Sequence, residues 1–350
     1  MPVTCERVER LEQLEDDWTR LAEAAGHPFA AWEWSSGWWR RFGDHNDLRA
    51  YACRDAEGAV VAILPLRASR LGPLRALRLI GDGDLRGPIC APAERPAAAD
   101  GLWDVLSQPG NPRLLLADRL PGGEGWGERL GGRLLRTHPD PVLPLAGASW
   151  EELLASRSRN FRQQVRRRER RLVEEHGLEF RLSTDPARLG EDMEALIRLH
   201  EMRWGGSSSG VFAGPRGEFQ REFAAAAQRH GWLRLWLAEI GGETVAAWYG
   251  WRFAGSEWYY QAGRDPRFDD LSLGFVLLAH TVREACEDGA ESYRFLDGAE
   301  PYKWRFASAD LGAETRALGH GPRGAAGSLA LAAAARAPAS IRQRAVRAAV

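Results

Sequence analysis

An internal repeat constrains this chain more than any other feature. In the second half, Leu233–Ile240 reads as a strand, Gly241-Gly242-Glu243 as a turn and residues 244–253 as a second strand. Ala254-Gly255-Ser256 turns again, and residues 257–263 give a third strand rich in aromatics. A loop (264–270), an apolar-periodic helix (272–288) and a strand (292–296) come next, then a helical segment at 301–307 and a strand at 314–318. The first half runs in the same order. Residues 48–54 form a strand, Ala56-Glu57-Gly58 a turn and 60–68 a strand. Gly72-Pro73 breaks the chain before a strand at 76–80, and a helix near 97–107 and a strand at 114–118 come next. The order β-β-β-α-β thus occurs twice, about 180–185 residues apart, a period that means two like α/β domains with mixed sheets rather than a solenoid. The break falls near Leu145-Ala146-Gly147. Residues 1–147 are expected as the first domain and 148–320 as the second, with an Ala/Arg-rich tail over 321–350 that is weakly held or partly disordered.

At 350 residues the chain is too long for one ordinary core, and 44% hydrophobic residues with 15 Trp suffice for two. A net charge of −1 argues against a protein that coats nucleic acid generally. The charged opening stretch to Asp17 lacks the apolar core of a signal peptide, and no apolar run reaches membrane-spanning length, so a cytoplasmic protein is expected. Cys5, Cys53, Cys90 and Cys286 are scattered without a CxxC pair and read as buried or free thiols. The eight His residues show no HExxH spacing, so no metal is expected.

Several stretches carry chemistry. Between the third strand and the long helix of the second half, Ser272 is placed to cap the helix and Gly274 lies in its first turn. The free N–H groups of such a helix start, around Leu271, Ser272, Leu273 and Gly274, suit an anion, and pyrophosphate is the natural guest. An ordinary capped helix would look the same. The Arg-rich segment 158–171 fits a phosphate site, a nucleic-acid stripe or a solvated helix face. Gly206-Ser207-Ser208-Ser209-Gly210 matches GxSxG but comes after a helix, so it reads as a flexible loop or lid rather than a nucleophile elbow. The Gly81–Gly87 stretch misses the dinucleotide spacing and reads as a turn.

Glu239, Gln261 and Asp297 fall near strand ends among Trp236, Trp248, Tyr249, Trp251, Trp258, Tyr259 and Tyr260, the mixture a small-molecule cleft requires. Each carboxylate is also a ready partner for an arginine. Of the 47 basic residues one, Lys303, is a lysine. In a chain that uses arginine wherever either cation serves, it marks a place that needs a compact ammonium. It comes directly after Tyr302 and stands just past Asp297.

With these residues assembled, the chain resembles the GNAT acyl-CoA transferase fold, and is similar in particular to the CelD/BioF-like acetyltransferase family. That family is related to the Fem peptidyltransferases with their paired GNAT domains. The resemblance spans roughly residues 5–320 and rests on words in order. These are Pro28-Phe29-Ala30-Ala31-Trp32-Glu33-Trp34, Ser158-Arg159-Asn160-Phe161-Arg162, Leu199-His200-Glu201-Met202-Arg203-Trp204, Trp248-Tyr249-Gly250, Tyr259-Tyr260-Gln261-Ala262-Gly263 and Pro301-Tyr302-Lys303-Trp304-Arg305-Phe306. The resemblance implies that Lys303 offsets negative charge near the reacting carbonyl and that Arg203 meets an acceptor's phosphates. It departs at Trp38, where Fem-type enzymes carry a basic residue, and at Asp270-Leu271-Ser272-Leu273-Gly274, which replaces the usual glycine-rich loop.

The expected activity is N-acyl transfer from acetyl-CoA or another acyl-CoA to an amine of a small molecule, amino sugar or peptide. Asp297 or Glu239 is the candidate base, Tyr302 the acid toward the leaving thiolate and Lys303 the charge stabiliser. Arg203, Trp248, Tyr260 and Gln261 are the candidate acceptor contacts. The first domain is expected to have lost its donor site and to shape the acceptor cleft. Aminoacyl-tRNA as donor, a cell-envelope or polysaccharide-linked acceptor, and a non-catalytic role in polysaccharide assembly stay open.

Overall fold

The computed structural model describes residues 3–43, 48–204 and 210–337. The chain divides into two compact units, Met1–Asp140 with Leu311–Val350, and Pro141–Asp310. The first stretch runs β1 (Thr4–Arg7), α1 (Glu15–Ala25), α2 (Trp32–Phe42), β2 (Tyr51–Arg54), β3 (Val60–Leu64), β4 (Leu66–Leu71), β5 (Leu74–Leu79), β6 (Ile89–Cys90), α3 (Arg95–Ser107), β7 (Leu114–Pro121), α4 (Trp126–Leu130) and β8 (Arg133–His138). The second unit runs β9 (Pro141–Pro144), α5 (Trp150–Ala155), α6 (Arg159–His176), β10 (Glu179–Leu182), α7 (Leu189–Trp204), α8 (Pro215–Arg229), β11 (Leu233–Ile240), β12 (Glu243–Phe253), β13 (Ser256–Arg264), α9 (Leu273–Glu287), β14 (Ser292–Arg294) and β15 (Ala309–Asp310). The chain then returns to the first unit with β16 (Ala313–Gly319) and α10 (Gly321–Arg336).

The first unit holds two sheets, β1-β2-β3-β6 and β4-β5-β7-β16-β8. One strand was expected over 60–68, but it breaks at Pro65 and its halves join different sheets. Proline has no N–H to give a ladder, so the chain turns out of one sheet there and into the other. Ala98, Leu102, Val105 and Leu106 of α3 are buried in a core with Leu64, Leu77 and Leu115 from the strands. The cysteine reading needs correction: Cys5 and Cys53 form a disulfide, and Cys90 and Cys286 alone are free and buried. The bonded pair stand opposite each other on β1 and β2, with Cα atoms 4.2 Å apart. Only strand pairing brings together residues 48 apart in sequence.

The second unit is built on one seven-stranded sheet, β10-β11-β12-β13-β14-β9-β15. Alternation along β12 sends Trp248 to one face and Tyr249 and Trp251 to the other. Trp248 joins the core with Trp150, Val165, Leu172 and Val276, from α5, α6 and α9. Trp251 meets Phe223 of α8 edge-on at 5.3 Å on the opposite face. There α7 packs so closely on β13 that a Cβ on Gly263 would collide with the His200 amide nitrogen.

The chain crosses between units at Asp140–Pro141, before the break expected at 147–148, and again at Asp310–Leu311. The strand expected at 314–318 therefore belongs to the first unit, where β16 pairs with β7 and β8. In the second unit β9 takes the matching place between β14 and β15. The helix expected at 301–307 is a single turn, Lys303–Arg305. The tail forms α10 as far as Arg336; its last residues, 338–350, and residues 206–209 of the GxSxG stretch lie outside the described residues.

Candidate active site

The site begins as a fault in the sheet. The β12–β13 register shifts between Tyr249, which faces Gln261, and Gly250, which faces Tyr259, leaving Tyr260 as the extra residue of a bulge. Gly250 is required there, since a Cβ would overlap the Trp258 carbonyl oxygen. The bulge resets the alternation. Tyr259 and Ala262 point to the α9 face. Tyr260 packs against Tyr249 and Trp251, and Gln261 bonds His200 at 3.2 Å, on the other face.

Beside the bulge the sheet opens. The parallel pairing of β13 with β14 covers only Ser256–Trp258 against Ser292–Arg294, although β13 continues to Arg264. Into this wedge opens a cavity of about 340 Å³. Trp248, Tyr259 and Ala262 line it from the strands, Gly274, Phe275 and Leu278 from α9, and Tyr302 and Arg305 from the turn beyond β14. Trp248 and Tyr259 stack at 5.7 Å with an interplanar angle of 14°. The Tyr259 and Tyr302 hydroxyls meet at 3.2 Å. Burial, then the neighbouring Tyr259, pushes the Tyr302 hydroxyl far above the ordinary tyrosine range, so it stays protonated.

Ser272, on the cavity wall, precedes α9 in the left-handed conformation (φ 58°) and makes no side-chain cap. The Phe275 and Val276 amides both turn back to its carbonyl. The Leu273 and Gly274 N–H groups, first in the helix, have no intrahelical acceptor. A serine in this conformation costs about 1–3 kcal/mol, the kind of strain found at ligand clamps. The helix dipole favours an anion there by roughly 0.3–1 kcal/mol.

Positive charge surrounds the opening. Arg203, Arg264 and Arg305 line the cavity. Arg264 is paired with Asp269 at 2.6 Å. Arg305 donates to Gln164 at 2.7 Å and lies over the Phe275 ring at 4.2 Å.

Of the residues expected from sequence, Tyr302, Trp248, Arg203, Ser272 and Gly274 come together at this cavity. Leu271 and Leu273 flank Ser272, and Leu271 lines the adjoining groove. Glu239 is held elsewhere: Arg181 grips its carboxylate at 2.8 Å and that of Asp192 at 2.8 Å. Asp297 sits half-buried on the loop after β14, outside the cavity lining. Tyr260 and Gln261 face away because the bulge shifted the alternation by one residue. Lys303 is buried, and its Nζ donates to the Asp297 carbonyl at 2.5 Å and the Leu296 carbonyl at 3.5 Å, with the Glu300 carboxylate at 3.1 Å. The ammonium thus ties down the loop after β14, and the cavity lining does not include it. Phe275 was not singled out in the sequence, and Tyr259 and Arg305 were named there without a role of their own. Arg305 stands two residues past Lys303, and a turn tighter than the expected helix brings it to the cavity.

At the matching place in the first unit, β5 and β7 pair in parallel over Leu77–Arg78 and Leu115–Leu116. Arg78 binds Asp118 there at 2.6 Å, and half-buried Arg86 stands 3.9 Å from the same carboxylate. No helix starts between Gly81 and Pro88.

Residues 159–304, which contain the wedge and the α9 N-terminus, match the family described as acetyltransferase (GNAT) domain. Over this stretch the chain is similar to the GNAT domain family. Its structural likeness runs the length of the chain. A crystal structure of FemX superposes with a TM-score of 0.62 at 12% identity, covering 93% of this chain and all of that one. The C-terminal domain (DUF2156) of a putative lysylphosphatidylglycerol synthetase from Agrobacterium fabrum gives 0.57 at 11%, covering 91% and 94%. L-PGS from Bacillus licheniformis gives 0.54 at 14%, covering 96% and 98%. At such identities the likeness is one of fold, an α/β architecture of two units with mixed sheets. No curated protein sequence matches the chain.

Proposed function

We propose that the GNAT domain of the second unit moves an acyl group, in the simplest case acetyl, from acyl-CoA to an amine of a small molecule, amino sugar or peptide. The observation that carries this reading is the wedge between β13 and β14, with a helix start of unsatisfied N–H groups at its mouth. In this reading the Leu273 and Gly274 amides bind the pyrophosphate, and the thioester enters along the unpaired edge of β13. Trp248 and Phe275 close the apolar walls. Holding amine and carbonyl in line can contribute about 7–11 kcal/mol, so direct attack suffices without a covalent enzyme intermediate.

The amine nitrogen bonds to the carbonyl carbon, the C–S bond breaks, and the thiolate takes a proton from Tyr302, re-protonated through Tyr259. The amine must arrive neutral. Among the described residues Asp269 is the one acid on the cavity wall, and it is committed to Arg264. Asp297, on the loop that leads to Tyr302, is the proposed base, acting through water; Glu239 lies away from the cavity, held by Arg181. Arg203 faces the acceptor side and suits an acceptor bearing phosphate or carboxylate. Lys303 acts by fixing the loop that carries Asp297 and leads to Tyr302.

Calorimetric titration of the purified chain with acetyl-CoA and with aminoacyl-tRNA tests this reading, together with thiol release over a panel of amines. Saturable acetyl-CoA binding and amine-dependent thiol release are expected. Binding of aminoacyl-tRNA alone would assign the site to the Fem-like reaction, and binding with no release for any amine would leave a non-catalytic assembly protein.

A further inference from the structure

Outside the cavity, two polar grooves of about 450 and 510 Å³ run along α6 and share Arg167, Arg168 and Arg170. The second groove reaches Leu271 and Ser272, so it joins the cavity mouth through Ser272. The arginines of α6 are not equivalent. Arg166 is paired with Glu151, Arg170 with Glu174 and Arg171 with Glu175. Glu169 is taken by Arg283. Arg167 and Arg168 have no carboxylate partner among the described residues, and Arg168 lies over the Phe275 ring at 5.2 Å, on the ring that Arg305 also covers. Two adjacent guanidinium groups are thus left uncompensated beside the cavity mouth, with Asp270 across the groove.

We propose that Arg167 and Arg168 hold a phosphate that the donor carries beyond its pyrophosphate, namely the 3′-phosphate of CoA. The proposal rests on the acyl-CoA reading above and deepens it. A phosphate monoester dianion matches two forked guanidiniums in charge and in hydrogen-bonding geometry. An extended RNA backbone would call for a continuous uncompensated stripe, whereas Arg166, Arg170 and Arg171 each face a glutamate across an exposed contact of 3.0, 3.9 and 3.0 Å. Phe275 holds Arg168 by its face, which preorganises the guanidinium and leaves its N–H edge for the ligand.

The test compares CoA with dephospho-CoA, by calorimetry, on the wild type, on Arg167→Gln/Arg168→Gln and on Arg159→Gln, an α6 arginine outside both grooves. The wild type is expected to prefer CoA over dephospho-CoA by roughly tenfold or more. The double variant should bind both as the wild type binds dephospho-CoA, Arg159→Gln should keep the preference, and Asp270→Asn should tighten CoA alone. Equal binding of the two ligands by the wild type, or equal loss of both in the double variant, overturns the phosphate subsite and leaves the acyl-CoA reading standing. No binding of either ligand by the wild type overturns both. If tRNA binds and the double variant abolishes it, the arginines serve RNA and the proposal is wrong.

Discussion

Replacing Lys303 with Met removes the charge and keeps much of the volume, so the change isolates the role of the ammonium. Lys303 is 4% exposed, and its ammonium is the partner of the Asp297 and Leu296 carbonyls. A hydrogen bond to a charged group contributes about 1.5–3 kcal/mol, and orphaning a buried carbonyl costs a comparable amount. The contact at 2.5 Å to Asp297 dominates, and that at 3.5 Å to Leu296 adds little. The Glu300 pair is discounted because Glu300 is 44% exposed. The expected loss is about 2–3 kcal/mol, a fall in Tm of roughly 5–10 °C for a unit of this size. Because the loop carries Asp297 and leads to Tyr302, kcat should also fall, by more than about tenfold. The KM for the donor should hold, since the α9 amides are untouched. Arginine should not rescue, for its planar fork is larger than the enclosed ammonium site. Thermal unfolding by circular dichroism, with steady-state kinetics on the same samples, reads both effects. A Lys303→Met protein that melts with the wild type yet loses kcat would refute the loop argument and return the lysine to the reacting carbonyl.

The buried titratable groups give two further outcomes. Tyr302→Phe keeps the ring on the cavity wall and removes the proposed acid, so kcat should fall about a hundredfold with donor affinity unchanged, as thiol release and calorimetry would show; wild-type kcat would rule the hydroxyl out of proton transfer. Glu257 is 2% exposed, and burial, only partly offset by Arg234 and Arg252, raises its pKa from 4.5 to about 8. The folded state then keeps a proton that the unfolded chain releases, so the stability it contributes is whole below about pH 4.5 and is lost as pH rises through about 8. Glu257→Gln should therefore raise Tm more at about pH 8 than at about pH 5; an equal change at both pH values would contradict the raised pKa.

How much of this was legible depends on the range of the interactions involved. Strands such as Leu233–Ile240 and the helix α9 were readable because period and turn residues are local signals. The α9 N-terminus was readable for the same reason, with Ser272 and Gly274 in place. The bulge at Tyr260 was not, since it exists only as a mismatch with β12, and so Tyr260 and Gln261 were expected at a cleft they face away from. Glu239 stood open between a base and an arginine partner until the fold delivered Arg181 to it. Cys5 and Cys53 looked like separate thiols until pairing of β1 with β2 set them opposite each other.

The amino-acid sequence by itself determined that this protein has two like α/β units, a helix start suited to an anion after the third strand of the second, and one place where arginine was not used. Each is decided by neighbours along the chain. Only the tertiary structure decided which unit owns each closing strand, which side of β13 meets the cavity, and that the lone ammonium binds main-chain carbonyls of its own loop. Those outcomes depend on contacts between residues far apart in sequence, where one residue of register decides which face a side chain occupies.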